Sequence, residues 1–449
     1  MKTICAISTP RGVGGIGVIR VSGESAIEIC EKIVFPGRPL HEIESGRTVF
    51  ARVKDGGQTV DEIMVSVFRG PHCFTGEDTV ELSCHGGMYI LNRVMTLLLR
   101  AGCAPAAAGE FTKRAFLNGK MDLTQAEAVI DLIHADSRLQ ASGALRQMDG
   151  LLGRKMNAVR DCLIEVNTEI MAYVDYPEET IGEIDEASIK QRLTESAAQL
   201  SRLAASFERG QVIRDGIATV IAGRPNVGKS TLMNLLLQRD KSIVTDTAGT
   251  TRDLVEDRAV LGDMVLHLTD TAGIHETGDK VEQIGVARAR DAARSAQLVL
   301  LVIDVSQPLT EEDFEIFELC RDKCTVLIAN KTDCGEAADL SKVPFEHIVP
   351  MSAKREQGLE MLTETVRTLF LGEAFDEEET LLTNQRQRAA VLSALESVQE
   401  AAAAMSAGFT PDLVSVDIEN AAQALGELTG QNVREQMIED IFSRFCVGK

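Results

Sequence analysis

IATVIAGRPNVGKST, residues 217–231, decides the fold of the segment that holds it. Its first six residues are an almost unbroken apolar run, and the remainder fits GxxxxGK[ST] through Gly223, Gly228, Lys229 and Ser230. A strand that enters a glycine-rich turn and leaves it as a helix lets backbone N–H groups wrap phosphate oxygens, which a side chain at the glycines would obstruct. Lys229 is then placed to neutralise the outer phosphates and the Ser230 hydroxyl to bind Mg2+, while the helix N-terminus adds its dipole. Asn226, Val227, Gly228 and Thr231 complete the stretch expected to touch the nucleotide.

Working outward, four further runs alternate with loop or helix: VLHLTD (265–270), LVLLVIDV (298–305), CTVLIAN (324–330) and HIVPMSA (347–353). That alternation predicts a doubly wound parallel sheet over residues 212–375. Three of the runs end on polar motifs. In DTAG, Asp270, Thr271, Ala272 and Gly273, the aspartate can hold the metal's water shell and the Gly273 N–H can meet the γ-phosphate. In NKTD, Asp333 offers a carboxylate to the guanine N1–H and exocyclic amine, bonds that adenine cannot reciprocate; Asn330 braces the loop and Lys331 can cover the purine face. In SAK, Ser352, Ala353 and Lys354, the Ala353 N–H can meet guanine O6. These motifs, in this order, resemble the translation-factor-like branch of the P-loop GTPases.

Hydrolysis needs a group that orients the attacking water. Many such switches place a glutamine after DxxG, but Ile274 stands there and offers no hydrogen bond. Glu276 is the candidate, acting through a bridging water because a bare carboxylate would repel the γ-phosphate; the same residue also reads as a solvated loop acid. Lys229 and Glu276 are thus the catalytic candidates. Asn226 together with SIVTDTAGTTRD (242–253) resembles a potassium-binding loop whose cation replaces an arginine finger, although Asn226 alone also reads as a loop-stabilising amide. The resemblance implies potassium ligands in the Asn226 side chain and the backbone oxygens of Thr245, Thr247 and Thr250, with Asp246, Ala248 and Gly249 beside the nucleotide and Thr251 completing the Mg2+ shell.

The flanks are different in style. Residues 1–118 read as strands and turns with a helix at MYILNRVMTLLLRAG (88–102), an α+β domain, whereas 119–211 and 376–449 show apolar residues three and four apart and read as one discontinuous all-α domain. The fold class expected is therefore multidomain α+β and α/β, with the P-loop domain inserted into a helical host. Acidic residues outnumber basic ones by 68 to 46, for a net charge of −22, which disfavours broad nonspecific nucleic-acid binding. With no Trp and only 3 Tyr, stacking platforms for unpaired bases are few. The 10 cysteines form no CxxC pair, so neither a zinc site nor a disulfide framework is indicated. No apolar run has membrane-span length and the N-terminal run is too short for a signal peptide, so the expected location is cytoplasmic.

Beyond the nucleotide motifs, RGVGGIGVIRVSG (11–23), FTGEDTVELSCHGG (74–87), GEFTKRAFLNGKMDLTQAEA (109–128) and the terminal FCVGK (445–449) resemble one family over essentially the whole chain, the bacterial tRNA uridine-modification GTPases called MnmE or TrmE. The resemblance implies a tetrahydrofolate derivative, 5,10-methylene- or 5-formyl-tetrahydrofolate, held by Arg20, Glu81 and Lys120 with Lys449 reaching the pocket, and Cys446 near the chemistry either as a reactive thiol or as a small hydrophobe. It also implies a homodimer through the head domains, a flavoprotein partner (MnmG or GidA) supplying FAD-dependent chemistry in a heterotetramer or larger complex, and tRNA as substrate, with a carboxymethylaminomethyl-type group installed at C5 of the wobble uridine. The formal GxGxxG at Gly12, Gly14 and Gly17 is not a dinucleotide site, because a strand follows it where a helix would have to begin. His85 beside Cys84 is no metal pair, since adjacent strand residues face opposite sides. A ribosome-assembly GTPase without folate chemistry is the competing reading; it calls for RNA affinity of its own, which the acidic balance makes unattractive.

Overall fold

A computed structural model describes residues 1–10, 12–175, 185–238, 256–269, 296–431 and 433–448. The chain divides into two units, residues 1–130, 147–198 and 390–449 in one and residues 131–146 and 199–389 in the other.

The first unit is built on β1 (Ile4–Ile7), β2 (Ile16–Ser22), α1 (Ala26–Glu31), β3 (Val34–Pro36), β4 (Arg47–Asp55), β5 (Gln58–Phe68), β6 (Thr79–His85), α2 (Met88–Ala101), β7 (Ala104–Pro105) and α3 (Glu110–Leu117). The strands form a seven-stranded sheet in the order β3-β4-β5-β6-β2-β1-β7, antiparallel except where β1 runs parallel to β7. Alternation in IGVIRVS and TVELSCH sends Ile19, Val21, Val80 and Leu82 into a core with Ala26, Leu91, Val94 and Leu98 from α1 and α2. Arg20 and Glu81 are therefore left on the other face, paired across β2 and β6. Among the glycines near the start, Gly17 serves close approach, since a Cβ there would lie 2.6 Å from the Leu91 side chain, and Gly86 does the same from β6's end, where a Cβ would lie 2.4 Å from Gly14 O. Helices α4 (Leu123–Ile133) and α6 (Leu151–Asp175) follow, while α5 (Arg138–Met148) between them falls almost wholly in the second unit. Near the C-terminus, α13 (Pro411–Thr429) packs along α6, so helices from the two separated helical stretches do meet; Asn167 Nδ2 donates to Glu419 Oε1 at 3.2 Å across that seam. Phe442, in α14 (Glu435–Ser443), and Phe445 bury against Leu123, Ala126 and Val129.

In the second unit, α7 (Glu186–Ala205), shared with the first, and α8 (Phe207–Asp215) lead into β8 (Ile217–Ala222) and α9 (Lys229–Gln238). They are followed by β9 (Glu256–Leu261), β10 (Met264–Thr269), β11 (Leu298–Asp304), α10 (Glu311–Cys320), β12 (Thr325–Asn330), β13 (His347–Pro350), α11 (Leu359–Leu371) and the start of α12 (Gln385–Ser406). The sheet order is β13-β12-β11-β8-β10-β9. Its neighbours run parallel except β9, which pairs antiparallel with β10 and was not anticipated from sequence. Every residue of β11 is buried, as a strand covered on both faces requires. Leu232, Leu235, Leu362 and Val366 of α9 and α11 cover one face, and Phe317 and Cys320 of α10 cover the other.

Candidate nucleotide and head-domain sites

The phosphate loop lies between β8 and α9, and its backbone could not be made by other residues without rearrangement. Gly223 and Gly228 have φ of +139° and +109°, and a Cβ on Gly228 would lie 2.2 Å from Asn330 Nδ2. Asn226 also adopts a left-handed φ of 63°, which asparagine tolerates better than most residues. Lys229 Nζ donates to Gly223 O and Arg224 O, each at 2.7 Å, which folds the ammonium back over the loop. Val227 is buried, whereas Ser230 and Thr231, in the first turn of α9, are exposed.

Asn330 ties the two halves of the site together. Its Nδ2 donates to Val227 O at 2.8 Å and its Oδ1 accepts from Ala353 N–H at 3.0 Å. The Ala353 N–H expected to meet guanine O6 is thus already engaged, and a base oxygen would have to share it. Asp333 is positioned by Ser352 Oγ at 2.7 Å and by Arg355 Nε at 3.2 Å. The Ser352 bond, helped by Arg355 and Lys354, outweighs the opposing effect of burial and keeps the Asp333 carboxyl below the usual carboxylate range. An ionised carboxylate has about four acceptor positions, so these two bonds leave room for a base edge.

Lys331, at a φ of 67°, sends Nζ to Asn226 O at 2.9 Å and to Asp304 Oδ2 at 2.6 Å. Burial acts to raise the pKa of Asp304, but the bonds from Lys331 and Ser306 together prevail and lower it. Asp304 was overlooked in the sequence; an acid that closes the apolar run LVLLVID was the available signal. Arg224 was overlooked as well. Its Nε donates to Asp313 Oδ1 at 2.6 Å, and Asp313 also accepts from Thr310 N–H at 2.9 Å, which anchors the phosphate loop to the first turn of α10. The TxxD spacing of Thr310 and Asp313 was legible, but not its partner.

Thr245, Asp246, Thr247, Ala248, Gly249, Thr250 and Thr251 lie outside the described residues, as do Asp270, Thr271, Ala272, Gly273 and Glu276.

In the first unit, Arg20 and Glu81 form an ion pair at 2.7 Å, 18% and 27% exposed, and the guanidinium sits 5.7 Å from the Phe111 ring centroid. The C-terminal tail reaches this pair. Val447 bridges Ala108 in antiparallel fashion, Gly109 N–H donates to Cys446 O at 3.4 Å, and Gly448 O accepts from Ser8 Oγ at 3.0 Å and from Arg20 Nη1 at 3.5 Å. A side chain at Gly448 would place Cβ 2.6 Å from Ile7 O. Cys446 is exposed; Lys449, the next residue after Gly448, lies outside the described residues. Lys120 makes a different contact, donating from Nζ to Pro71 O at 2.9 Å. The half-buried Arg20 and Glu81 supply the donor and acceptor that a ligand with a polar ring requires.

Sequence profiles agree with both halves of this layout. That of the MnmE helical domain matches residues 123–446, and that of the GTP-binding protein TrmE N-terminus matches residues 3–120. The tRNA modification GTPase MnmE of Lactobacillus delbrueckii subsp. bulgaricus is 41% identical over 100% of this chain and 98% of its own. The chain belongs to the MnmE family. The MnmE protein of Listeria welshimeri is likewise 41% identical, over 100% of this chain and 99% of its own. Among solved structures, Era of Aquifex aeolicus shares 29% identity over 40% of this chain and 66% of its own, with a TM-score of 0.28. Among the described residues no helix is long and apolar enough to cross a membrane.

Proposed function

We propose that this chain is the GTP-hydrolysing, potassium-activated subunit of a complex that installs a carboxymethylaminomethyl-type group at C5 of the wobble uridine of tRNA, using a tetrahydrofolate one-carbon unit. Supporting the nucleotide half most directly is the pair of hydrogen bonds by which Asn330 donates to Val227 O and accepts from Ala353 N–H, which sets the phosphate loop and the base-reading loop in one frame. In this reading Lys229 pairs with the outer phosphates and Asp333 selects guanine. Bound Mg2+ supplies charge neutralisation on the phosphates, with Ser230 and Thr251 as its protein ligands. Asn226 and the backbone oxygens of Thr245, Thr247 and Thr250 hold K+, and Glu276 orients the attacking water. Residues 1–118 form the folate-binding and dimerisation head, 119–211 with 376–449 the helical domain, and 212–375 the inserted GTPase domain. A homodimer works with an FAD-dependent flavoprotein of the MnmG or GidA type in the cytoplasm.

The head-domain half is tested by calorimetric titration with 5-formyltetrahydrofolate. We expect one ligand per subunit, bound about tenfold or more weakly by Arg20→Ala, since a charge-assisted hydrogen bond is lost. Absence of binding to the folded protein would remove the folate reading. The hydrolytic half is tested by GTP turnover in potassium and in sodium at matched ionic strength, for the wild type and for Glu276→Gln. Turnover should be faster in potassium and fall by about 100-fold in the variant at unchanged GTP affinity, the range of a general acid–base contribution. Equal rates in the two salts would remove the cation from the mechanism, and an unaltered variant would remove Glu276.

A further inference from the structure

Asp61 and His85 form a pair on the head-domain sheet with no role in the site described so far. Asp61 is 8% exposed and gathers three N–H donors on one carboxyl group. His85 Nδ1 lies 2.5 Å from Oδ1, the His85 backbone N–H 2.9 Å from Oδ2, and the Glu62 N–H 2.8 Å from Oδ1. A carboxylate only accepts, so the shared proton belongs to Nδ1, and in the neutral ring Nε2 then carries a lone pair. The His85 side chain is nonetheless 72% exposed. Fixing an exposed ring costs rotamer entropy, and a buried carboxylate behind one ring nitrogen is the arrangement that aims the other nitrogen at a ligand.

The register places His85 in line with the ion pair of the candidate head-domain site, whereas Asp61 falls on the same side of β5 as the buried Ile63, Val65 and Val67 and holds the ring from the core side. Arg20 pairs with Glu81, Val18 with Ser83 and Ile16 with His85 across β2 and β6. Glu81, Ser83 and His85 alternate with the buried Val80, Leu82 and Cys84, so their Cβ atoms leave the strand on one side. Four residues of extended strand separate Glu81 from His85 by about 14 Å.

We propose that His85, aimed by Asp61, is a second contact for the head-domain ligand: its Nε2 accepts a hydrogen bond from an N–H in the aminobenzoyl-glutamyl half of a folate whose pterin lies at Arg20 and Glu81. This inference rests on the folate reading of the head domain and names a residue that selects the intact cofactor over its ring alone. Asp61 is a positioning residue, acting through His85.

Two probes separate the possibilities, 5-formyltetrahydrofolate and the tail-less 5-formyl-6-methyltetrahydropterin, titrated calorimetrically into the full chain. His85→Phe keeps a ring of similar size without its nitrogens and should weaken the folate about five- to tenfold, the scale of one neutral hydrogen bond, while leaving the pterin unchanged. His85→Gln, which restores a polar atom at similar reach, should recover most of the loss. Asp61→Asn should weaken the folate alone, and its effect should vanish in the His85→Phe background, as expected of a residue acting only through the other. If the wild type binds folate and His85→Phe binds it equally well, the inference falls while the folate reading stands. Equal losses for both probes would also overturn it, by showing that His85 shapes the sheet rather than touching the tail. Failure of the wild type to bind folate would overturn the folate reading and this inference with it.

Discussion

Lys229→Ala is expected to weaken GTP binding by about 100- to 1,000-fold, with the fold intact. In the structure Nζ already lies 2.7 Å from Gly223 O and from Arg224 O, so the ammonium is held at the loop and needs only to exchange carbonyl oxygens for phosphate oxygens. Each charge-assisted bond contributes about 1.5–3 kcal/mol, and losing two near the low end of that scale, about 3–4 kcal/mol in all, gives the stated range. The loop itself should survive, because Asn330 holds Val227 O and the Arg224 bond to Asp313 holds its start. Titration with a fluorescent GTP analogue reads the affinity, and thermal unfolding without nucleotide reads the fold. Affinity at the wild-type level would show that Lys229 does not meet the phosphates. A collapse of the unfolding midpoint would assign it to the loop's own architecture.

Asp333→Asn should be the second large effect, on selectivity as well as affinity. The carboxylate is oriented by Ser352 and Arg355, and in the proposed reading its charge receives both the N1–H and the exocyclic amine of guanine. An amide presents one acceptor and one donor, so the donor meets the guanine amine and the fit is lost. Xanthine replaces that amine with a carbonyl and suits the amide. GTP affinity should fall about 100- to 1,000-fold, because a site built for a specific hydrogen-bond pattern rejects its mismatch strongly, while xanthosine triphosphate affinity should rise. Competition between the two nucleotides measures the exchange. An unchanged preference for GTP would take Asp333 out of base recognition.

The parallel sheet was legible because its central strands are covered on both faces, so β8, β11 and β12 read as apolar runs that no other element explains. The strand β9, EDRAVL, escaped because it sits at the sheet edge and carries charge where a buried strand would carry valine. The short β3 and β7 were missed for the same reason, being three- and two-residue edges without a measurable alternation. Motif spacing singled out Lys229, Asn330 and Asp333 as candidates, and the structure places them at or beyond the ends of β8 and β12 in that order. It could not give the brace between Arg224 and Asp313, because residues 89 apart in sequence meet only once the sheet has formed. The pairing of Asp61 with His85 was hidden likewise: Asp61 reads as one acid in DEIMVSVF, and only the folded sheet, with β5 beside β6, brings its carboxylate to His85.

The amide of Asn330 also bears on attempts to redesign the protein. A loop taken from an adenine-specific relative and grafted over residues 352–354 would arrive without knowledge of that side chain, yet Val227 O and Ala353 N–H depend on it in common. Base preference is therefore not an exchangeable cassette here. Any graft that displaces Ala353 loosens Asn330 and with it the Val227 end of the 223–231 loop, so a designer must carry residue 330 and both loops together.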